Sequence, residues 1–405
     1  MARWLGLSQA QLSRIENGPA VVHLDRLAHW AQLLQIPAPL LWFALPADHE
    51  GGKAINFAGV SKPSLRSTRN NREINPNADS VSTTAHQQQG ARDEHLHFVR
   101  SLRLADRRVG GGHLYATVTA YLAGRVAEPV PVGASTPGKA ELAAAASLNE
   151  MAGWMAHDSG AAGPARRHLG EALTLAERSD DHQLVAQVHA GLSHLANHCG
   201  DARGALSHAR NGLEHLRKAP HGRLQARLLA IQALGFAIAG QPVEATRALA
   251  DAEASLHGPV AATSEWLSPF DVTSFAIEAA RCLLRVGDLS ESQRRLQAAL
   301  AVRSADRVRS RALAQLMLVT VFLGKGQIDE ACVATHAVLD EIAGLGSGVI
   351  IDQLQHAAIL FTSHAKVCTE VPPLLDRLRD TIHERSWIGT VGELRAGAVG
   401  DGQLG

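Results

Sequence analysis

Residues 186–200, AQVHAGLSHLANHCG, followed by Asp201-Ala202-Arg203-Gly204-Ala205, decide the fold. An apolar helical run ends at Gly200, and a small residue, Ala205, stands five positions on. The same mark recurs as Gly160 with Ala165, Gly240 with Ala245, Gly287 with Ser292 and Gly326 with Ala331. The glycines are 40, 40, 47 and 39 residues apart. Leu173, Leu213, Leu300 and Leu339 lie thirteen residues beyond four of them, and Glu253 breaks the rule in the third copy. Apolar helices precede the other glycines too, as in RLLAIQALGFAIAG, AIEAARCLLRVG and ALAQLMLVTVFLGKG. The unit is therefore helix, glycine turn, helix. Glycine permits the tight reversal, and the small residue lets the second helix lie close against the first. One such pair cannot hide its apolar face, so neighbours must stack and bury a continuous core.

The pattern resembles the tetratricopeptide family, including its GDxxEA turn, seen as Gly200-Asp201, Gly287-Asp288 and Gly326 to Ala331. The period is nearer 40 than the family's usual value of about 34, and the Trp and Tyr signature positions are not filled. The likeness covers residues 139–386. The tail, 387–405, is Gly-rich and is expected to fray.

A second signature lies at residues 5–18, LGLSQAQLSRIENG. Gly6 supplies a turn, Ser8 an N-cap, and Gln11 completes an S-x-x-Q capping box. Leu12 and Ile15 give one buried edge, and Gly18 closes the helix after Asn17. Residues 24–35 carry Leu24, Leu27, Ala28, Ala31 and Leu34 at helical spacing. Ile36-Pro37 stops that helix, and Pro39 opens a short one with Leu40, Leu41, Trp42 and Phe43. Together these pieces resemble the Cro/CI (XRE) helix-turn-helix family of bacterial, actinobacterial-type regulators. The resemblance implies a recognition helix that enters the major groove of duplex DNA. Its implied DNA-binding residues are Ser8, Gln9, Ala10, Gln11, Ser13, Arg14 and Asn17. Gln9 suits adenine, and Arg14 suits guanine or phosphate. Gln11 stays open between a DNA contact and its capping role. The family's first helix and most of its second should precede Arg3, and Glu16 lacks its expected arginine partner. A true start upstream is therefore expected, with lost DNA binding as the alternative.

Residues 47–92 lose hydrophobic periodicity and read as a polar linker. Within 93–138, helical patterning returns with Val99, Leu102, Leu104 and then Leu114 to Leu122, interrupted by Gly110-Gly111-Gly112. The triple glycine lacks the Gly-Lys-Ser/Thr end of a phosphate loop and reads as a helix-helix turn. LRLADRRVGGGHL, residues 102–114, also resembles a segment between the two halves of large actinobacterial regulators. From 51 to 112 there are ten Lys or Arg against five Asp or Glu. That excess could add phosphate contacts, though a solvated linker explains it as well.

The 405 residues carry 39 basic and 39 acidic side chains, so no global field draws the chain to nucleic acid. Two Tyr and eight Phe amid abundant helix formers argue against an all-β architecture. No apolar run reaches membrane-spanning length, and the N-terminus carries no signal-peptide pattern. Cys199, Cys282, Cys332 and Cys368 form no C-x-x-C pair and read as buried free thiols. His194 and His198, with Cys199 adjacent, share one helix face, but no third ligand follows at a convincing spacing. Glu330, Asp340 and Glu341 read as solvated helix faces. No nucleophile elbow, Walker loop or dinucleotide fingerprint is present, so no enzyme and no cofactor is expected.

The expected fold class is all-α: a truncated helix-turn-helix head (1–46), a polar linker (47–92), a helical bridge (93–138) and a tetratricopeptide-like solenoid (139–386). The expected function is a cytoplasmic, DNA-binding transcriptional regulator. Its body would sense a peptide, a protein or a small molecule on the concave face, and a homodimer would pair two heads on half-sites. This head-plus-repeat plan resembles that of peptide-responsive quorum-sensing regulators. The alternative is a protein-interaction scaffold with a vestigial head.

Overall fold

The computed structural model describes residue 93 and residues 95–127, 137–260 and 262–385. The head, the linker and the Gly-rich tail lie outside the described residues. Among the described residues the structure is helical, with a single isolated bridge between His221 and Val260.

Two helices open the body: α1 (95–109) and α2 (Gly111–Ala127). Six helical hairpins follow. They pair α3 (Lys139–Asp158) with α4 (Ala162–Ser179), α5 (His182–His198) with α6 (Ala202–Lys218), and α7 (Gly222–Ile238) with α8 (Pro242–Ser255). The last three pair α9 (Val272–Val286) with α10 (Leu289–Val302), α11 (Val308–Gly324) with α12 (Ile328–Glu341), and α13 (Gly348–Thr362) with α14 (Val371–Arg385). The stack is tetratricopeptide-like, as the repeat pattern implies.

Each marker glycine closes the first helix of its hairpin in the same way. Gly160, Gly200, Gly240, Gly287 and Gly326 all take left-handed backbone, with φ between 73° and 91°. The next residue's N–H then reaches back five positions: Ala161 to Ala156, Asp201 to Ala196, Gln241 to Phe236, Asp288 to Leu283 and Gln327 to Phe322, each at 2.9 Å. This is the Schellman closure, which satisfies carbonyls that the helix end would leave unpaired. Asp201 and Asp288 go on to cap the second helix, accepting from the N–H of Gly204 (2.9 Å) and Glu291 (3.0 Å). The small residues five positions on are all fully buried: Ala165, Ala205, Ala245, Ser292 and Ala331. Ser292 also donates its hydroxyl to the Ala280 carbonyl at 2.9 Å. Of the marker leucines, Leu339 is buried and Leu173, Leu213 and Leu300 are half-buried. Glu253 is exposed and pairs with Arg295 at 3.1 Å.

The first helices form the inner layer and the second helices the outer one. Apolar clusters run along the stack from α5 through α14, with α9 contributing both to the cluster around Phe275 and to that around Leu316 and Phe361. The 47-residue spacing between Gly240 and Gly287 reflects a segment, 262–271, that folds back across the inner helices. Trp266 is buried there, and Gln183 and Gln187 of α5 hold the segment by its backbone: Ser264 N–H donates to Gln183 (2.8 Å) and Ser268 N–H to Gln187 (2.5 Å).

Gly110, at φ 82°, turns α1 into α2, so the triple glycine is a helix-helix turn. The pair packs on α3 and also meets the far end of the stack. Gly346 donates its N–H to Val109 at 2.7 Å, and Gly112 donates to Gly346 at 3.0 Å. Val99 and Leu102 are buried, whereas Leu104 is 56% exposed and takes no part in the core. The thiols also differ from the sequence reading. Cys282 and Cys332 are buried, but Cys199 caps the end of α5 in the open and Cys368 is half-buried in the turn before α14. Glu341 departs from a solvated face too, pairing with Arg311 at 2.8 Å in a half-buried position.

Candidate functional site: the central cavity

The inner layer surrounds a cavity of about 810 Å³, and the first helix of every hairpin contributes to its wall, together with α1 and the 262–271 segment. The second helices face outward because their apolar stripes are spent against the first helices. The cavity volume lies in the range of sites that take small organic ligands, about 300–1,000 Å³.

Charge distinguishes this wall. Among the described residues it presents eight arginines, at 103, 107, 227, 281, 285, 303, 307 and 309, against four carboxylates. Each carboxylate already has an arginine partner. Asp106 and Asp158 pair with Arg309 at 2.6 and 3.1 Å, Glu150 with Arg103 at 3.4 Å, and Glu278 with Arg281 at 3.1 Å. Asp271, behind the wall, lies 3.6 Å from Arg303 and 4.0 Å from Arg307. Arg107, Arg227 and Arg285 make no hydrogen bond or ion pair with a described residue.

The paired arginines are themselves anchored. Arg103 donates to the carbonyls of Trp266 (2.7 Å) and Leu267 (3.2 Å), which ties α1 to the inserted segment. Arg309 sits over the Trp154 ring, 5.3 Å from its centroid. Burial works against the Arg309 charge, but Asp106 and Asp158 outweigh it and hold its pKa above the ordinary arginine value. Burial pushes Arg103, Arg107, Arg227 and Arg303 the other way, below that value. Three buried polar atoms of lining residues have no partner: Arg103 Nε, Arg303 Nε and Asn197 Oδ1.

One side of the wall is a cluster of imidazoles around Trp154. The His157 ring lies 5.3 Å from His194 and 4.7 Å from His198, and Trp154 lies 5.6 Å from His157 and 5.4 Å from His194. Burial, followed by the neighbouring His198, lowers the His157 pKa to about 4. Burial also takes His194 well below its ordinary value and lowers His198. The rings are therefore neutral at pH 7 and add no charge to the wall. No group of three or more His, Cys, Asp or Glu among the described residues is placed to hold a metal ion.

The DNA-reading set, Ser8, Gln9, Ala10, Gln11, Ser13, Arg14 and Asn17, lies outside the described residues. His194 and His198 do share a face, which points into the cavity, while Cys199 turns away as the exposed cap. The arginine wall went unread in the sequence, although it left a trace. Arg103 with Arg107 and Arg281 with Arg285 are each four apart, the spacing that places side chains on one helical face, whereas Arg303 and Arg307 flank the turn between α10 and α11.

No family model matches the chain, and no curated protein matches it. Among solved structures it is similar to the crystal structure of a Rap protein complexed with competence and sporulation factor. The identity is 12%, the TM-score is 0.49, and the alignment covers 73% of this chain and 87% of that one. Likeness at this level carries no statement about ligand or activity. None of the described helices is long and apolar enough to cross a membrane.

Proposed function

We propose that the helical body is a receptor module, binding rather than catalytic, whose ligand or partner segment occupies the central cavity. The observation that carries this reading is the wall itself: arginines without partners and unsatisfied buried polar atoms converge on one space of ligand size. Half-buried cations without an ion pair, Arg107 and Arg227, are desolvated at a cost to stability, which an occupant supplying the missing partners offsets. Residues 1–46 complete the reading as a DNA-binding head, so that the whole chain acts as a ligand-responsive cytoplasmic transcriptional regulator, with two heads paired on duplex DNA. The head is supported by the sequence resemblance of residues 5–18 and 24–43 alone. Without DNA binding, the body remains an interaction module, and that part of the reading stands independently.

Hydrogen exchange on the full chain tests the receptor. A deproteinised extract of the source cells should slow amide exchange in the inner helices α3, α7, α9 and α11 while leaving α6 and α8 unchanged. Unchanged inner helices, or protection confined to the outer layer, would contradict a cavity ligand. Mobility shift with duplex DNA tests the head. Arg14→Ala should weaken a cognate site by about 1–3 kcal/mol if it reads a base.

A further inference from the structure

The ligand's chemistry can be read from the charge left over in the cavity, given the receptor reading above. All four lining carboxylates are taken by Arg103, Arg281 and Arg309. Arg303 and Arg307 share the single carboxylate of Asp271 at long range. Arg107 and Arg227 make no ion pair with a described residue and feel only the more distant charges of Asp306 and Asp106, and of Glu150 and Glu278, while Arg285 is exposed. The surplus is gathered on one wall, where neighbouring arginines act on one another alongside the lining carboxylates. Arg227 acts on Arg103, Arg103 on Arg107, and Arg307 on both Arg107 and Arg303. Arg227 projects from the middle of α7 with Ile231 and Leu234 one and two turns on along the same wall. Ile238, Leu284 and Leu313, of α7, α9 and α11, line it too and keep part of their apolar surface open. Cationic forks therefore sit beside apolar surface in a half-open space.

We propose that the cavity is a site for a small organic polyanion, a molecule with at least two negative charges borne by phosphate or carboxylate groups on a compact apolar body. Arg227 and Arg107 supply the anion contacts, and the half-buried Ile238, Leu284 and Leu313 on the same wall receive the apolar part. Guanidinium forks match both oxyanion types through paired N–H donors. A small molecule matches the cavity's volume of about 810 Å³, which lies within the range of small-ligand sites. In this arrangement Arg227 is kept out of any ion pair, with only Glu150 and Glu278 offsetting its burial at a distance, at the expense of ligand-free stability, as functional residues often are.

Thermal unfolding of the full chain tests this with inorganic pyrophosphate, citrate, adenosine triphosphate and penta-glutamate, all at one fixed ionic strength. Pyrophosphate or the nucleotide should raise the midpoint saturably by about 2–4 °C or more if the anion is a phosphate. Citrate should do so if it is a carboxylate. Arg227→Met should raise the ligand-free midpoint and weaken the anion effect at least tenfold, and Arg107→Gln should weaken it without altering the fold. The proposal is overturned if no probe gives a saturable shift, if both variants retain it, or if penta-glutamate alone produces it. Protection of the inner helices by cell extract, with no response to any anion, would leave the receptor standing and remove the polyanion.

Discussion

Arg309 and Asp106 stand 203 residues apart in the chain and meet as a two-point ion pair, Nη1 to Oδ1 at 2.6 Å and Nη2 to Oδ2 at 2.7 Å. The pair fastens α11 to α1, so the beginning of the stack is held to its end. Asp158 completes the joint, accepting from Arg309 (3.1 Å), the Gly111 N–H (2.7 Å) and the Ser347 hydroxyl (2.7 Å). Two buried carboxylates thus depend on one guanidinium. Arg309→Met should cost about 3–5 kcal/mol, because both carboxylates lose their compensating charge. Asp106→Asn combined with Arg309→Met should recover part of that loss. Urea unfolding midpoints check the energies, and exchange rates around 344–348 show whether the closure opens.

The glycine turns make a cleaner test of backbone strain than most sites. A Cβ built on Gly240 or Gly326 would meet no atom within 4 Å, yet both residues hold φ at 73°. Any cost of substitution there is therefore conformational. Gly326→Val should destabilise by about 1–3 kcal/mol, and Gly326→Asn should cost distinctly less, since asparagine tolerates left-handed backbone. Equal losses for Val and Asn, read as thermal midpoints, would show that something other than φ is at stake.

At the fifth position after the glycine the restriction is volume. Four repeats carry Ala and one carries Ser292, all without exposed surface. Ser292→Ala removes one hydroxyl bond and should cost about 0.5–1.5 kcal/mol, the net worth of a typical hydrogen bond. Ala205→Leu should cost more, about 1–3 kcal/mol from overpacking. It should also push α6 away from α5, visible as faster exchange in both helices.

These two positions explain which part of the fold was legible. A Schellman turn and a close helix approach are local requirements, so Gly200 and Ala205 announce them within six residues. The closure is not local. Nothing near Asp106 indicates Arg309, and nothing in the insertion before Gly287 says that its Trp266 will be buried beside Gln187. The cavity was hidden for the same reason: His157 joins His194 and His198 only when α3 is laid beside α5. The arginine wall showed only as pairs four residues apart, which solvated helices also display. Glu341 was misread because its partner, Arg311, sits on another helix of the same hairpin.

The imidazoles give the pH dependence. His157 and His189 are both buried, with pKa values lowered from 6.5 to about 4. Burial is the main cause for each. His198, Arg309 and Arg281 add to it at His157 against Asp158, and His208 and His215 add to it at His189. His189 Nδ1 lies 3.2 Å from His208 Nδ1, so the contact needs one ring to donate and the other to accept. Two imidazolium rings would turn two donors toward each other. The unfolded chain takes up these protons near pH 6.5 and the native one only near 4. Stability should therefore be level above about pH 6.5, fall between about 6.5 and 4, and flatten below, with each group contributing on the order of 3 kcal/mol. Asp106, raised by burial, works in the opposite sense at the acid end of that window. Denaturant midpoints at fixed ionic strength should show the decline, and His189→Gln should make it shallower while His157 keeps its share. A profile unchanged by His189→Gln would move the acid sensitivity away from the histidine pair.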